Sequence, residues 1–240
     1  MNEPTKPYDE LYKSKFYYPL ILVILVGDSS VGKTSYLIRL TKNVIKKQSQ
    51  PTIGVEYAAQ SILLSEEGKI VKSVIWDTAG AEKYKAITTA HYRRSEGALL
   101  FYDLSDKNSF DNVLSWRQQI IQYTDENIMI MLIGNKLDLI QENPSNRCVS
   151  INDVQSICSK YNMIYYETSA KEGTNVKESF EQLIRKIYEF KQQSIEEEKS
   201  SDPQDFLSSE HKSSYQPILP TNFDQSLHNK KQSDTCCGTQ

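Results

Sequence analysis

Gly27-Asp28-Ser29-Ser30-Val31-Gly32-Lys33-Thr34, followed by Ser35, is the stretch from which the rest of this 240-residue chain is read. An unbroken apolar run from Leu20 to Val26 precedes it, and the helical pattern Tyr36, Leu37, Leu40 follows. A buried strand that turns through glycines into a helix is the setting of a phosphate loop. Glycines let such a loop wrap a phosphate with backbone N–H groups, and the helix N-terminus favours negative charge there. Read this way, Asp28 to Ser35 line the phosphates, Lys33 neutralises the β- and γ-phosphates, and the Thr34 hydroxyl is a Mg²⁺ ligand.

Outward from the loop, further runs of strand character recur at Ile70 to Trp76, Ala98 to Tyr102, Ile128 to Ile133 and Met163 to Tyr166. Helical spacing separates most of them, as in Phe110, Val113, Leu114, Trp116 and again in Val176, Phe180, Leu183, Ile184, Ile187. Asn175 with Glu178 three residues later gives the second of these helices a capping start signal. That alternation predicts a doubly wound α/β fold. An extra strand around Ser61 to Leu64 joins Ile70 to Trp76 through the turn Ser65-Glu-Glu-Gly-Lys69, so one hairpin breaks the parallel pattern. The expectation is a phosphate-loop nucleotide-hydrolase domain with a six-stranded mixed sheet and helices on both faces.

Composition limits the alternatives. Hydrophobic residues make up 38 % and charged residues 25 %, enough for one packed core, while a formal charge of -3 argues against nucleic acid as a partner. The start, Met1 to Lys15, is polar and acidic and does not read as a signal peptide, and no apolar run approaches a membrane span of ~20 residues. Four cysteines are too few and too unevenly placed for a disulfide framework, so Cys148 and Cys158 are expected as reduced, part-buried thiols. After Gln193 the chain turns Ser-, Gln-, Asp-, Glu- and Pro-rich, and 194–240 is expected to be a disordered tail. Residues 1–17 are expected to be a flexible extension, which leaves 18–193 as the domain.

A phosphate loop alone leaves ATPases, kinases and GTPases open, so base recognition decides. Asn135-Lys136-Leu137-Asp138 stands where an apolar strand ends, the edge of an open α/β sheet where ligands bind. A carboxylate at Asp138 can accept two N–H groups from guanine but would meet acceptors on the corresponding edge of adenine. Thr168-Ser169-Ala170-Lys171, after the last strand, offers backbone N–H groups to the guanine oxygen. Asp77-Thr78-Ala79-Gly80 adds a strand-end carboxylate near the metal and a glycine N–H for the γ-phosphate. Thr52, eighteen residues after Thr34, is the second hydroxyl for Mg²⁺. A phosphoryl-transfer kinase built on the same loop is disfavoured by the guanine motif and by the lack of a lid or acceptor-site motif.

In this set the chain resembles the Ras-like small GTPases over about residues 18 to 192. Ile53-Gly-Val-Glu-Tyr57, Val74-Ile-Trp-Asp-Thr-Ala-Gly80, Tyr84-Lys-Ala-Ile-Thr-Thr-Ala-His-Tyr-Arg93 and Phe101-Tyr-Asp-Leu-Ser105 are similar to segments of the Rab family. The resemblance implies a GTP/GDP switch in vesicle trafficking, with switch segments around Thr52 and Gly80 ordered by γ-phosphate and Mg²⁺. It further implies an effector surface at Ile53, Gly54, Tyr57, Trp76 and His91. Its partners would be GTP-state effectors, an exchange factor, a GTPase-activating protein, a GDP-dissociation inhibitor and a prenylation escort, with the protein itself a monomer.

Three positions depart from that pattern. Ala81 stands where relatives carry the glutamine that orients the attacking water beside Lys33, Thr52 and Gly80. An alanine cannot hold that water, so intrinsic hydrolysis is expected to be slow, and a nearly locked GTP-bound membrane scaffold is the alternative. Activating proteins can supply an arginine and a glutamine in trans. Ile45 replaces the phenylalanine that relatives pack on guanine, and His91 replaces a tyrosine of the effector-facing cluster. Cys236-Cys237-Gly-Thr-Gln resembles the paired-cysteine endings that receive two geranylgeranyl groups. Two chains give stable yet extractable anchoring, which implies the cytosolic face of an intracellular membrane with an extractable cytosolic pool. Four lysines against eight acidic residues from Ser194 onward add little electrostatic help.

Overall fold

The computed structural model describes residues 20–45, 55–64, 68–78, 92–125 and 127–200. Along the chain these form β1 (Leu20–Gly27), α1 (Lys33–Lys42), β2 (Val55–Leu64), β3 (Lys69–Thr78), β4 (Gly97–Asp103), α2 (Lys107–Asp111) and α3 (Val113–Tyr123). Then come β5 (Met129–Asn135), α4 (Leu137–Glu142), a short 3-10 turn at Pro144–Asn146, α5 (Ile151–Tyr161), β6 (Ile164–Glu167) and α6 (Val176–Ser200). The strands make one sheet in the order β2-β3-β1-β4-β5-β6. Only the β2–β3 pair is antiparallel, so the sheet is mixed as the hairpin reading predicts.

Side chains alternate across each strand, which divides the central apolar runs between two cores. Ile21, Val23 and Leu25 of β1, Leu99 and Phe101 of β4, and Met131 and Ile133 of β5 face one layer, against Tyr36 and Leu37 of α1 and Phe180, Leu183, Ile184 and Ile187 of α6. Ile24 and Val26, Ala98, Leu100 and Tyr102, and Ile130 and Leu132 face the other, against Phe110, Val113 and Ile120 and against Val154 and Cys158 of α5. Burial on both faces is why the runs are continuous rather than alternating in hydropathy. Tyr36 pins the first layer: its hydroxyl is fully buried and bonds the Val176 carbonyl at 2.9 Å and Ser179 Oγ at 2.8 Å.

Local differences from the sequence reading have physical reasons. The extra strand begins at Val55, not Ser61, because it pairs with β3 along its whole length from Val55↔Thr78 to Leu64↔Lys69. The helix expected through Phe110 to Trp116 is two helices joined at Asn112, which caps both. Asn175 starts α6, but at φ +57° it is left-handed, and its amide donates to the Glu167 carbonyl at 2.8 Å, tying β6 to the helix. Helical backbone continues to Ser200, past the compositional break at Gln193. Cys158 is buried as a free thiol, whereas Cys148 is exposed rather than part-buried.

Candidate functional site

Parallel strands bring their C-terminal ends to one edge, and the loops leaving β1, β4, β5 and β6 meet there, beside the end of β3. The β1 loop enters α1 through Gly32, whose φ of +99° suits glycine, and a Cβ at that residue would lie 2.2 Å from Asn135 Nδ2. Gly32 is therefore small because the Asn135 side chain packs directly on the loop between β1 and α1. Lys33 is buried, and its ammonium donates to the carbonyls of Gly27 and Asp28 at 2.7 Å each. Burial lowers its pKa to about 8, against the opposing pull of Asp77 and Asp28. Ser29 and Ser30 are exposed at the loop's crest, Ser35 is half-buried, and Val31 is buried beneath them.

Asp28 serves the loop differently from the sequence expectation. Its carboxylate accepts from Trp116 Nε1 at 2.6 Å and from Asn112 Nδ2 at 2.8 Å, so the side chain buttresses the loop on α3. The break at Asn112 is what puts both donors in reach.

At the end of β3, Asp77 is fully buried beside Leu25 of β1, and Thr34 Oγ1 donates to its Oδ2 at 2.6 Å. A hydroxyl and a carboxylate converging beside a phosphate loop are oxygen donors of the kind Mg²⁺ takes, so the residues fit that ion. Thr52, Gly80 and Ala81, the other switch-side positions, lie outside the described residues, as do Ile53, Gly54, His91, Cys236 and Cys237.

The base-side motifs are laced together. Asn135, 1 % exposed, donates from Nδ2 to the Val31 carbonyl at 2.8 Å, while its Oδ1 accepts from Thr168 Oγ1 at 3.1 Å and Ala170 N at 3.2 Å. One amide thus joins the phosphate loop to both base motifs. Thr168 N bonds the Gly134 carbonyl at 2.8 Å, and Leu137 N bonds the Thr168 carbonyl at 3.0 Å. Asp138 is buried, with Oδ1 held by Ser169 Oγ at 2.7 Å and Oδ2 3.7 Å from Lys171 Nζ. Lys136 turns the chain in a left-handed conformation and pairs with Asp103 Oδ2 at 2.6 Å. Ile45, beyond α1, is 56 % exposed.

Sequence reasoning missed Asp103, Glu167, Arg39 and Arg147. Asp103 and Glu167 are carboxylates at strand C-termini, a signal that could have marked them. Arg39 donates from Nε to the Ala170 carbonyl at 3.0 Å, binding α1 to the last motif, and nothing in the sequence points to it. On the face of the β2–β3 hairpin, Tyr57 pairs in register with Trp76, ring centroids 5.6 Å apart, and stays 59 % exposed.

Fold and loop together define a phosphate-loop nucleotide-binding protein of the GTPase type. The family model described as Ras family matches residues 22–189, and the chain belongs to that family, on its Rab side. It is 42 % identical over 181 residues to GTP-binding protein ypt3 of Schizosaccharomyces pombe, covering 75 % of this chain and 78 % of the relative. It is 44 % identical over 172 residues to Ras-related protein RGP2 of Oryza sativa subsp. japonica, covering 72 % and 76 %. With Ras-related protein RABA2d of Arabidopsis thaliana it shares 44 % over 181 residues, 75 % of this chain and 76 % of the relative. As a member of this family the chain is a GTP-hydrolysing enzyme.

Proposed function

We propose that this GTPase is a Rab-like switch that cycles between GTP and GDP, recruits effectors to an intracellular membrane in vesicle trafficking, and hydrolyses GTP slowly without help. The observation that carries the switch reading is Asn135, whose amide holds the phosphate loop, Thr168 and Ala170 in one constellation at the strand ends. In that constellation Lys33 exchanges its two carbonyl contacts for the β- and γ-phosphates. The buried Asp138 carboxylate reads the guanine N–H edge, and Ala170 and Lys171 present backbone N–H groups to the guanine oxygen. Thr34, Asp77 and Thr52 would hold Mg²⁺, which when bound would supply charge neutralisation at the phosphates. The bonds of Asp28 to Asn112 and Trp116 keep the loop's backbone donors fixed, so little reorganisation accompanies binding.

Slow turnover rests on Ala81, which has no group to orient water. Exposed Tyr57, its ring tilted against Trp76, supports an effector face on the hairpin, because a large aromatic held half out of water is a typical anchor for a partner. Anchoring rests on Cys236 and Cys237 as two geranylgeranyl sites, and among the described residues no helix is long and apolar enough to cross a membrane. The regulators would be an exchange factor, an activating protein, a GDP-dissociation inhibitor and a prenylation escort.

Single-turnover hydrolysis of bound GTP by the full chain and by Ala81→Gln tests the slow clock. The expected result is a rate at least about tenfold higher in the variant, the effect of restoring one water-orienting group. Equal rates would refute it. A chain that neither hydrolyses GTP alone nor responds to activating proteins would be a GTP-bound scaffold instead.

A further inference from the structure

The two base-reading motifs leave the sheet from adjacent strands, and β5 and β6 are joined over only four registers, Met131↔Ile164 to Gly134↔Glu167. Asn135 follows the last residue on one side and Thr168 follows it on the other. The height of Thr168–Lys171 against Asn135–Asp138 is therefore set at the Gly134–Glu167 pair. β6 is a four-residue edge strand, and none of its residues is fully buried. So short an edge pairing is weakly specified by itself.

Side chains reinforce that pair. A Cβ on Gly134 would meet Tyr102 Oη at 2.8 Å, Tyr165 Oη at 2.9 Å and Leu104 Cδ2 at 2.9 Å, so two phenols share with Leu104 the space the glycine leaves. The hydroxyls lie 2.8 Å apart. Tyr165 donates to Glu167 Oε1 at 2.8 Å, and Arg147 closes on both carboxylate oxygens at 2.8 and 2.7 Å. The direction of the chain follows from proton count. Tyr165 has one proton and gives it to a carboxylate that can only accept, so the proton between the phenols belongs to Tyr102. The order is Tyr102 to Tyr165 to Glu167, with Arg147 behind. Burial raises both phenols' pKa, which keeps them protonated as donors.

The chain starts beside the site and ends on a loop that returns to it. Tyr102 precedes Asp103, the partner of Lys136, and Leu104 N bonds the Asn135 carbonyl at 3.0 Å. Arg147 follows the short turn after α4, and Cys148 N bonds the Leu104 carbonyl at 3.0 Å. Four elements (β4, β5, β6 and the loop after α4) are thereby registered at one point, one residue short of both base motifs. A bidentate arginine is suited to this because its rigid fork fixes orientation as well as distance.

We propose that Tyr102, Tyr165, Glu167 and Arg147 are positioning residues for guanine, a hydrogen-bonded strut that holds the backbone donors of Ala170 and Lys171 at the base while Asp138 reads its other edge. The strut rests on the guanine-site reading given above, and its test separates the two.

GDP release from the full chain is measured for wild type, Tyr165→Phe and Arg147→Lys, with thermal melting of each and with inosine diphosphate as a second ligand. Tyr36→Phe, which removes a fully buried hydroxyl on the opposite face of the sheet, is the comparison. Loss of the strut raises GDP release by about 5- to 30-fold, the effect of roughly 1–2 kcal/mol. Inosine diphosphate release rises by the same factor, because the base oxygen is common to both ligands and only the 2-amino group, read by Asp138, is not. Tyr36→Phe lowers the melting temperature with release within about twofold of wild type. GDP release within twofold of wild type in both strut variants overturns the inference, as does an equal acceleration in Tyr36→Phe. Should Tyr165→Phe fail to fold, Arg147→Lys decides, since its head group is partly exposed. A wild-type protein without preference for GDP over ADP would instead sink the guanine reading itself.

Discussion

Replacing Asn135 with alanine is the sharpest single perturbation of the site. The side chain makes three hydrogen bonds, to the Val31 carbonyl, Thr168 Oγ1 and Ala170 N, at 1 % exposure. A net intramolecular hydrogen bond is worth about 0.5–1.5 kcal/mol, and the three partners left behind are themselves sequestered, so the loss is roughly 2–4 kcal/mol. Nucleotide binds only when the phosphate loop and the two base motifs are in register, so the loss falls on the GDP-bound state. Converted at 1.4 kcal/mol per tenfold, GDP affinity drops by about 30- to 700-fold. The assay is displacement of a fluorescent GDP analogue from the full chain, with chemical denaturation of the GDP-saturated protein alongside. Asn135→Asp adds direction: it keeps the acceptor facing Thr168 and Ala170 but sets an anionic oxygen against the Val31 carbonyl, and GDP affinity should fall at least as far as in the alanine variant. An alanine variant that holds GDP within threefold of wild type, at an unchanged denaturation midpoint, refutes the reasoning.

Two further outcomes follow from titration and exposure. Burial pushes the Glu167 carboxyl up, but the Arg147 and Tyr165 hydrogen bonds outweigh it and hold the pKa below its ordinary 4.5. A depressed carboxyl adds stability above the unfolded pKa and loses it as pH falls through the folded value. Denaturation midpoints of wild type should therefore fall more steeply below about pH 4.5 than those of Glu167→Gln, and identical slopes would contradict the strut's charge pairing. Cys148 is exposed, whereas burial pushes the Cys158 thiol up to about 11, so iodoacetamide at neutral pH should alkylate the first in native protein and the second only in denaturant. Peptide mapping reads this, and rapid native labelling of Cys158 would contradict the packing of α5.

Most of the fold was legible because parallel strands buried on both faces must be written as continuous Ile, Val and Leu runs, and Leu20 to Val26 is such a run. Val55 to Gln60 carries no such run, and its strand is specified by pairing with β3, which one-dimensional periodicity does not contain. Likewise no breaker residue marks Asn112; the joint there is fixed by a tertiary bond to Asp28, 84 residues away. The phosphate loop and the two segments proposed to read the base stand out in the sequence because each is local. What holds them together does not: Arg147 with Glu167, and Arg39 with Ala170, are contacts between ordinary residue types distant in sequence. Even Asn175, correctly placed at a helix start, spends its amide on Glu167 because the chain must turn sharply between β6 and α6.

On the proposed reading, the edge formed by Asn135–Asp138 and Thr168–Lys171 recognises guanine. Equilibrium binding of GDP, ADP and xanthosine diphosphate to wild type and to Asp138→Asn tests it most directly. Wild type should prefer GDP over ADP by at least about a thousandfold, since a buried carboxylate facing acceptors is left unpaired. Xanthine carries a carbonyl where guanine carries its 2-amino group, so an asparagine amide should move the preference to xanthosine diphosphate. ADP bound by wild type within tenfold of GDP, or a GDP preference unchanged in Asp138→Asn, would show that this edge does not read guanine.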